Sequence, residues 1–241
     1  MALFSGLKAE RLISDVVTQQ SMDSEPARKA LQKLRKLGGG AVPKIIDALA
    51  AADNTTRPAL VSVLTDLADK KNLKHYVEGM SDGNQRIVEG TAQALANSTK
   101  VDPLQILALL ENEDVSKPAV LGILDAHKDK VSVRDLLTRA YDLDNRDKTA
   151  LFRIIDTVVD EDLVPDLVAR VDGKDATVKI NLMNILGRFN RPDVRAKIVR
   201  QIEDPNKRVR QQALKTLAEL GGGSDNVERI AALLLDGDLD V

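Results

Sequence analysis

Several residue types are scarce in this 241-residue chain, and each absence excludes a class of protein. There is no cysteine, which excludes a disulfide framework, a thiolate metal site and a cysteine nucleophile. There is no tryptophan, and only 2% of the residues are aromatic, so few side chains are available to stack on bases. The net charge of −2 argues against a general nucleic-acid-binding protein. Charges at Lys8, Glu10, Arg11 and Asp15 interrupt the N-terminal region, so we expect neither a signal peptide nor a membrane span there.

The apolar residues recur with a period of about 31 residues along the whole chain. In the second helix of each predicted repeat, one apolar position is occupied in turn by Ile45, Tyr76, Ile106, Leu136, Leu167, Ile198 and Ile230. A matching position in the first helices is occupied by Leu31, Leu60, Thr91, Val120, Leu151, Leu182 and Leu214. Helix pairs this short bury their apolar faces only against neighbouring pairs, so the sequence predicts an all-α solenoid of about seven two-helix repeats.

Two parts of the pattern differ from a regular repeat. In the third repeat, Thr91 and Ala94 stand where larger apolar residues are expected. Three consecutive glycines occupy residues 38–40 and again residues 221–223. A phosphate-binding loop would need Gly-Lys followed by Ser or Thr after a strand, so we interpret both triplets as helix stops.

We expect one domain over residues 1–241, made of an N-terminal capping helix within residues 1–23 and seven repeats over residues 24–241. The apolar positions with which the first helix would cover the end of the stack are Leu7, Leu12, Ile13, Val16 and Val17. Residues 236–241 align with residues 204–209 at a step of 32, where an eighth repeat would begin. This alignment predicts that the native chain continues beyond residue 241, into further repeats or another domain.

The repeats resemble HEAT repeats, in the short form that is common in bacterial proteins. The residues that carry the motif best are Asp204, Val209, Arg210, Ala213 and Leu214, with Pro43 and Pro165 at the starts of second helices. The resemblance covers residues 24–241 and implies a right-handed α-solenoid, or superhelix, whose second helices line a concave binding surface. It also implies that Lys179 and Arg210 pair with turn aspartates of neighbouring repeats. HEAT-like arrays serve as scaffolds, as regulators and, less often, as enzymes, so the resemblance specifies the fold more closely than the function.

We predict no metal, cofactor or catalytic residue. HEAT-like hydroxylases place His-Glu pairs in several repeats, whereas His75 is followed by Tyr76 and His127 by Lys128, so we interpret both histidines as surface residues. The acidic run at residues 160–162 lies at the bend inside the fifth repeat, where carboxylates usually cap the following helix.

One position of the second helix is polar in all seven repeats, in the order Lys44, His75, Gln105, Asp135, Asp166, Lys197 and Arg229. If Val194 and Ile198 point inward, the helical step of about 100° per residue turns Lys197 and Arg200 to the opposite face. The row is either a ladder along the binding surface, basic at both ends and acidic in the middle, or an ordinary solvated face. Residues 178–215 also contain ten basic and three acidic residues.

Our hypothesis is a non-enzymatic, cytoplasmic interaction scaffold or regulatory module that binds another protein or a further domain of its own chain. In this hypothesis Lys197, Arg200 and Arg229 meet an acidic segment, and Asp135 and Asp166 meet a basic one; Lys44 and His75 complete the candidate partner-binding residues.

The alternatives from another class are a HEAT-like DNA glycosylase and a relative of the HEAT-like bilin lyases. The glycosylase needs aromatic residues to hold an extruded base, whereas one of the two tyrosines, Tyr76, occupies a core position. Only the repeat supports the lyase. We expect no membrane partner and no nucleic-acid partner.

Overall fold

Every regular element that the structure describes is a helix. The computed structural model describes the backbone of residues 2–221 and the side chains of residues 5–221, and no strand occurs within them. The chain divides between Val131 and Ser132 into two compact units, which are treated separately below. None of the helices in this described part combines the length and the apolar character that a membrane span requires. The all-α prediction is confirmed, while the prediction of a single domain stays a prediction.

The first unit contains a capping helix followed by paired helices. The helices described in it are α1 (Ala2–Val17), α2 (Glu25–Leu37), α3 (Val42–Ala48), α4 (Thr56–Leu67), α5 (Leu73–Met80), α6 (Gln85–Asn97), α7 (Pro103–Ala108) and α8 (Lys117–Ala126). The first helices α2, α4, α6 and α8 pack side by side, and each of α3, α5 and α7 packs on the first helix that follows it. This is the predicted arrangement, in which each helix pair buries its apolar face on the next.

The second unit repeats the same packing. Its described helices are α9 (Val133–Ala140), α10 (Asn145–Val158), α11 (Val164–Arg170), α12 (Ala176–Leu186), α13 (Pro192–Gln201) and α14 (Lys207–Glu219). Here α10, α12 and α14 pack side by side, while α9, α11 and α13 each pack on the next helix. Several first helices begin at a side-chain cap, as at α12, where Asp175 accepts a hydrogen bond from the Val178 N–H.

The predicted apolar positions form the cores of both units. All described members of the second-helix column are completely buried, namely Ile45, Tyr76, Ile106, Leu136, Leu167 and Ile198, and Ile230 lies outside the described residues. The Tyr76 hydroxyl donates to the Leu64 carbonyl at 2.6 Å, so its polar end is satisfied inside the core. Burial, with a smaller contribution from Asp69, raises the pKa of Tyr76.

The third repeat, which is the weakest in the sequence, is a place of close helix approach. Thr91 and Ala94 are completely buried. A Cβ atom on Gly79 of α5 would lie only 2.8 Å from Thr91 Oγ1, and one on Gly90 of α6 would lie 2.8 Å from a methyl group of Leu49. The small residues therefore preserve dense packing because neighbouring helices move into the space that larger side chains would fill.

The two glycine triplets mark equivalent helix ends. Gly38 follows α2 with φ 66°, and Gly221 follows α14 with φ 67°. Glycine adopts such a positive φ without the steric cost that other residues incur. The prediction that the triplets are helix stops is confirmed at Gly38 and Gly221.

The capping helix α1 packs on α2 and α3, and the predicted covering face is confirmed at Ile13 and Val16. Its buried stripe consists of Ala9, Ile13 and Val16. Leu7 and Val17 remain 62% and 51% exposed, so their assignment to the covering face is wrong. Ala9, Ile13 and Val16 lie on one side of the helix, and Leu7 and Val17 lie outside that stripe.

Candidate partner-binding surface

The predicted polar row lies beside the buried stripe of the second helices, where Asp135 is exposed and the other described members are half-buried. Each of its members directly precedes a completely buried residue, as Lys44 precedes Ile45 and Lys197 precedes Ile198. In the first unit the row comprises Lys44 of α3, His75 of α5 and Gln105 of α7; in the second unit it comprises Asp135 of α9, Asp166 of α11 and Lys197 of α13. The seventh member, Arg229, lies outside the described residues.

In the first unit the row is paired with local carboxylates. Lys44 Nζ lies 2.8 Å from Glu10 Oε1 of the capping helix, and the hydrogen bond and charge of Glu10 raise the pKa of Lys44. His75 Nδ1 lies 3.1 Å from Glu78 Oε2, one turn along α5. The carboxylates of Glu10 and Glu78 are exposed, so each pair contributes little to stability. The contact with Glu10 reduces the charge that Lys44 offers to a partner.

In the second unit, ion pairs connect successive second helices. Arg134 Nε of α9 lies 2.5 Å from Asp166 Oδ2 of α11. Lys197 of α13 binds the carboxylate of Asp172, which follows α11 and also accepts a hydrogen bond from Gln201 at 3.1 Å. The row therefore has internal counter-ions at two of its three positions in this unit.

Two charged residues of the candidate set remain available in the second unit. Asp135 and Arg200 are exposed, and neither forms an ion pair with a described residue. The structure thus brings Asp166 and Lys197 into internal contacts and leaves Asp135 and Arg200 accessible. Partner binding by any of these residues stays a prediction.

At least four of the ten basic residues at 178–215 contact carboxylates of the second unit, namely Lys179, Arg188, Arg191 and Lys197. Lys179 Nζ lies 2.5 Å from Asp204 Oδ2, so its predicted pairing with a turn aspartate is confirmed. Arg188 lies 2.8 Å from Asp156, and Arg191 lies 2.9 Å from Asp193. These contacts reduce the excess of positive charge in this stretch but do not remove it.

Arg210 contacts the turn that begins its own repeat. Its guanidinium Nη1 donates to the carbonyl oxygens of Asp204 and Pro205 at 3.1 and 3.2 Å. These atoms belong to the turn that precedes α14, the helix of Arg210 itself. The contact supports this turn by main-chain hydrogen bonds. The aspartates of the following turn lie outside the described residues, so the pairing of Arg210 with a turn aspartate stays a prediction.

The histidine interpretation is wrong at one of the two positions. His127 is only 7% exposed, and its Nε2 lies 3.0 Å from the Leu95 carbonyl oxygen at the end of α6. The ring turns inward after α8 because this carbonyl offers a hydrogen-bond partner. Leu95 is 32 residues away in the sequence, so a local pattern could not indicate the contact.

The acidic run of the fifth repeat is structural. Asp160 accepts a hydrogen bond from the Leu163 N–H at 3.2 Å, and Glu161 lies 3.5 Å from Arg191. In the part of the chain that the structure describes, no group of three or more His, Cys, Asp or Glu residues is arranged to hold a metal ion. The capping prediction for Asp160 is confirmed.

A basic groove between α1 and α2 was not predicted from the sequence. We call it the α1–α2 groove; it has a volume of about 520 Å³ and is lined by Lys8, Arg11, Leu12, Asp15, Lys33, Lys36 and Leu37. The spacing of three residues from Lys8 to Arg11 and from Lys33 to Lys36 could have indicated two basic helix faces. Their juxtaposition depends on the packing of α1 against α2.

The described residues thus define an α-helical repeat protein. Residues 164–241 match the family described as HEAT repeats. This match covers the C-terminal third of the chain, and the family is assigned to these residues.

Two solved structures are similar over most of the chain. Human deoxyhypusine hydroxylase in complex with glycerol has a TM-score of 0.36 and 16% identity, and the match covers 91% of this chain and 98% of that one. The designed armadillo repeat protein YIII(Dq)4CqI has a TM-score of 0.26 and 14% identity, with 88% and 99% covered. Both TM-scores are below 0.5, so our conclusions rest on the helix pairs and the family match. No curated protein matches the chain.

Proposed function

We propose that this chain is a non-enzymatic interaction module that binds another protein, or a further domain of its own chain, through the outward faces of its second helices. HEAT repeats usually act as scaffolds for protein interaction, and the match over residues 164–241 supports this role. Such repeats offer many separate contacts along a row of helices.

The observation that carries the proposal is that some charged residues of the second helices form ion pairs within the unit, whereas others form none with described residues. In the second unit, Arg134 with Asp166 and Lys197 with Asp172 fix the second helices to one another. Arg200 and Asp135 stand exposed on the same layer of helices without a described counter-ion. Arg200 would meet a carboxylate of the partner and Asp135 a cation, and the paired residues would hold the helices at a constant spacing.

The test begins with capture of partners from the host by the tagged chain, followed by purification of the captured protein and measurement of binary binding. We expect Arg200→Glu to slow association about fivefold and to reduce its dependence on salt, because a favourable charge contact becomes repulsive. Arg208→Glu is the matched control: Arg208 is an exposed arginine on the first helix α14, and its substitution makes the same change of net charge.

Two results would contradict the proposal. One is that no captured protein forms a binary complex with the purified chain. The other is that Arg208→Glu slows association as much as Arg200→Glu does, because the effect would then come from net charge and would not depend on the second-helix face.

A further inference from the structure

The α1–α2 groove is the place where unpaired positive charge accumulates in the first unit. Four of its lining side chains are cations, namely Lys8 and Arg11 on α1 and Lys33 and Lys36 on α2. All four are exposed, and none forms an ion pair with a described residue. Asp15 is the one carboxylate in the lining, so four positive charges and one negative charge leave the groove at +3.

Nearby carboxylates do not compensate this charge because they are bound elsewhere. Glu10 of α1 lies 2.8 Å from Lys44. Asp66 of α4 lies 2.5 Å from Arg35, the arginine between Lys33 and Lys36 in the sequence. The carboxylates of Glu10 and Asp66 are therefore paired outside the groove, and the groove remains positively charged.

The groove also has an apolar component. Leu12 of α1 and Leu37 of α2 are half-buried and line it together with the cations. This follows from the rotation of α1, whose buried stripe of Ala9, Ile13 and Val16 leaves Leu12 at the edge of the contact. A ligand that fits must combine negative charge with apolar surface, since burying Leu12 and Leu37 adds a favourable apolar contribution.

The geometry points to the α1–α2 groove as a binding site for an acidic, leucine-bearing segment of a partner protein. Its carboxylates would lie between the cations of the two helices, and a leucine would cover Leu12 and Leu37. Asp15 would exclude a carboxylate from its own end of the groove and so orient the segment. This surface is formed by α1 and α2, so the inference stands independently of the second-helix row.

The shape and lining favour a peptide over two other anionic ligands. Nucleic-acid strands are usually held by aromatic side chains that stack on bases, and there is none among the lining residues that the structure describes. An anionic membrane presents a flat surface, whereas these cations border a groove from two helices. A peptide chain is narrow enough to enter the groove and contact both sides.

The experiment measures binding of a fluorescein-labelled peptide of alternating glutamate and leucine pairs to the full chain by anisotropy, at low and at physiological ionic strength. We expect salt-sensitive binding. The double substitution Lys8→Glu with Lys33→Glu reverses one charge on each helix and should weaken binding about tenfold or more. Each new glutamate lies three residues before a remaining cation of the same helix, Arg11 or Lys36, and this arrangement favours folding of both helices.

Two further variants make the result specific. The matched control is Lys70→Glu with Lys71→Glu, which changes the net charge equally at two exposed residues between α4 and α5. It should bind the peptide within about twofold of the original chain. Asp15→Asn removes the one carboxylate of the lining and should tighten binding about threefold, a gain that a purely structural role of the groove does not produce. Circular dichroism and thermal unfolding check that every variant is folded.

The inference is overturned if the original chain does not bind the peptide, or if both double variants weaken binding equally. Phosphatidylserine-containing vesicles and single-stranded oligothymidylate are measured in parallel. Binding of either one that depends on Lys8 and Lys33, without binding of the peptide, would assign the groove to that ligand and contradict the inference. Because Arg200→Glu leaves the groove unchanged, failure of this inference and failure of the proposed function are separate outcomes.

Discussion

Lys148 and Asp175 connect α10 to the beginning of α12 in the second unit. The Lys148 side chain is 6% exposed, and its Nζ lies 2.5 Å from Asp175 Oδ2. Burial alone would raise the pKa of Asp175, but the hydrogen bonds from Lys148 and from the Val178 N–H outweigh it and lower the pKa below its ordinary value. One carboxylate thus serves as a helix cap and as the partner of a buried cation from the preceding repeat.

We predict that Lys148→Met lowers the free energy of unfolding by about 1–3 kcal/mol at neutral pH, because Asp175 loses the counter-ion that offsets its partial burial. Methionine retains most of the apolar stem, so the loss reports mainly on the charge. Urea unfolding followed by circular dichroism measures it. Lys70→Met is the control at an exposed lysine and should change stability by less than about 0.5 kcal/mol.

The pH dependence supplies a second measurement of the same pair. The folded-state pKa of Asp175 is lowered from 3.8, so its stabilising contribution is present above pH 3.8 and is lost as the pH falls through the folded-state value. The stability advantage of the original chain over Lys148→Met should therefore shrink below pH 3.8. An advantage that is constant through this acidic range would show that the pair does not act through the Asp175 charge.

At the scale of helices, the ends are determined by single residues. Gly38 ends α2 with a positive φ, and a Cβ atom there would meet no neighbouring atom within 4 Å. The free-energy cost of replacing Gly38 by another residue therefore comes from backbone strain at a positive φ and not from steric clashes with neighbouring atoms. Gly122 in α8 is also free of neighbours within 4 Å, but its φ is not positive.

Alanine substitutions at Gly38 and Gly122 should change the stability of the protein in opposite directions. Gly38→Ala should destabilise the protein by about 1 kcal/mol, because alanine is strained at a positive φ. Gly122→Ala should stabilise it by about 0.5–1 kcal/mol, because alanine favours the helix. Thermal and urea unfolding of both variants test this. Equal effects would mean that backbone conformation does not determine the end of α2.

The orientation of α1 shows a limit of sequence patterns for a single helix. The pattern predicts an amphipathic N-terminal helix, and the structure contains one at Ala2–Val17. It identifies Ile13 and Val16 correctly but does not show that Ala9 is buried and that Leu7 and Val17 are exposed. The contacts with α2 and α3 decide which residues beside Ile13 and Val16 are covered.

At the scale of the whole molecule, each helix packs mainly on helices of adjacent repeats. In the first unit α4 packs on α2 and α6, and α6 packs on α8. In a repeat protein, stability is approximately a sum of local terms for each repeat and each interface. A cavity in one helix should therefore affect its neighbours more than distant repeats of the same unit.

We predict that Leu60→Ala in α4 accelerates amide hydrogen exchange most in α2, α4 and α6, and least in α8. Leu60 is completely buried, and removing such a side chain costs about 2–5 kcal/mol. Mass spectrometry of exchanged peptides gives the profile. Leu104→Ala, at a leucine that is 52% exposed, is the control and should leave the profile unchanged. Uniform acceleration over residues 2–131 would mean that the first unit unfolds as one block.

The candidate surface was predicted only in part, and the reason is sequence distance. The helical period and the buried residue beside each position place five candidate residues outside the core, namely Lys44, His75, Asp135, Asp166 and Lys197. The helical period does not show which of these residues have a charge that is not paired within the chain. Arg134 and Asp166 are 32 residues apart, and Lys197 and Asp172 are 25 apart, so their pairing depends on how consecutive repeats stack.

The amino-acid sequence by itself determined the helix pairs, their period, their turns and their buried positions, because propensity, periodicity and capping are local properties. Only the tertiary structure decided the ion-pair partners, the inward turn of His127 and the rotation of α1. It also decided that Lys8 and Arg11 lie beside Lys33 and Lys36 in one groove. These features depend on contacts between residues of different helices, and such contacts form only when the helices pack.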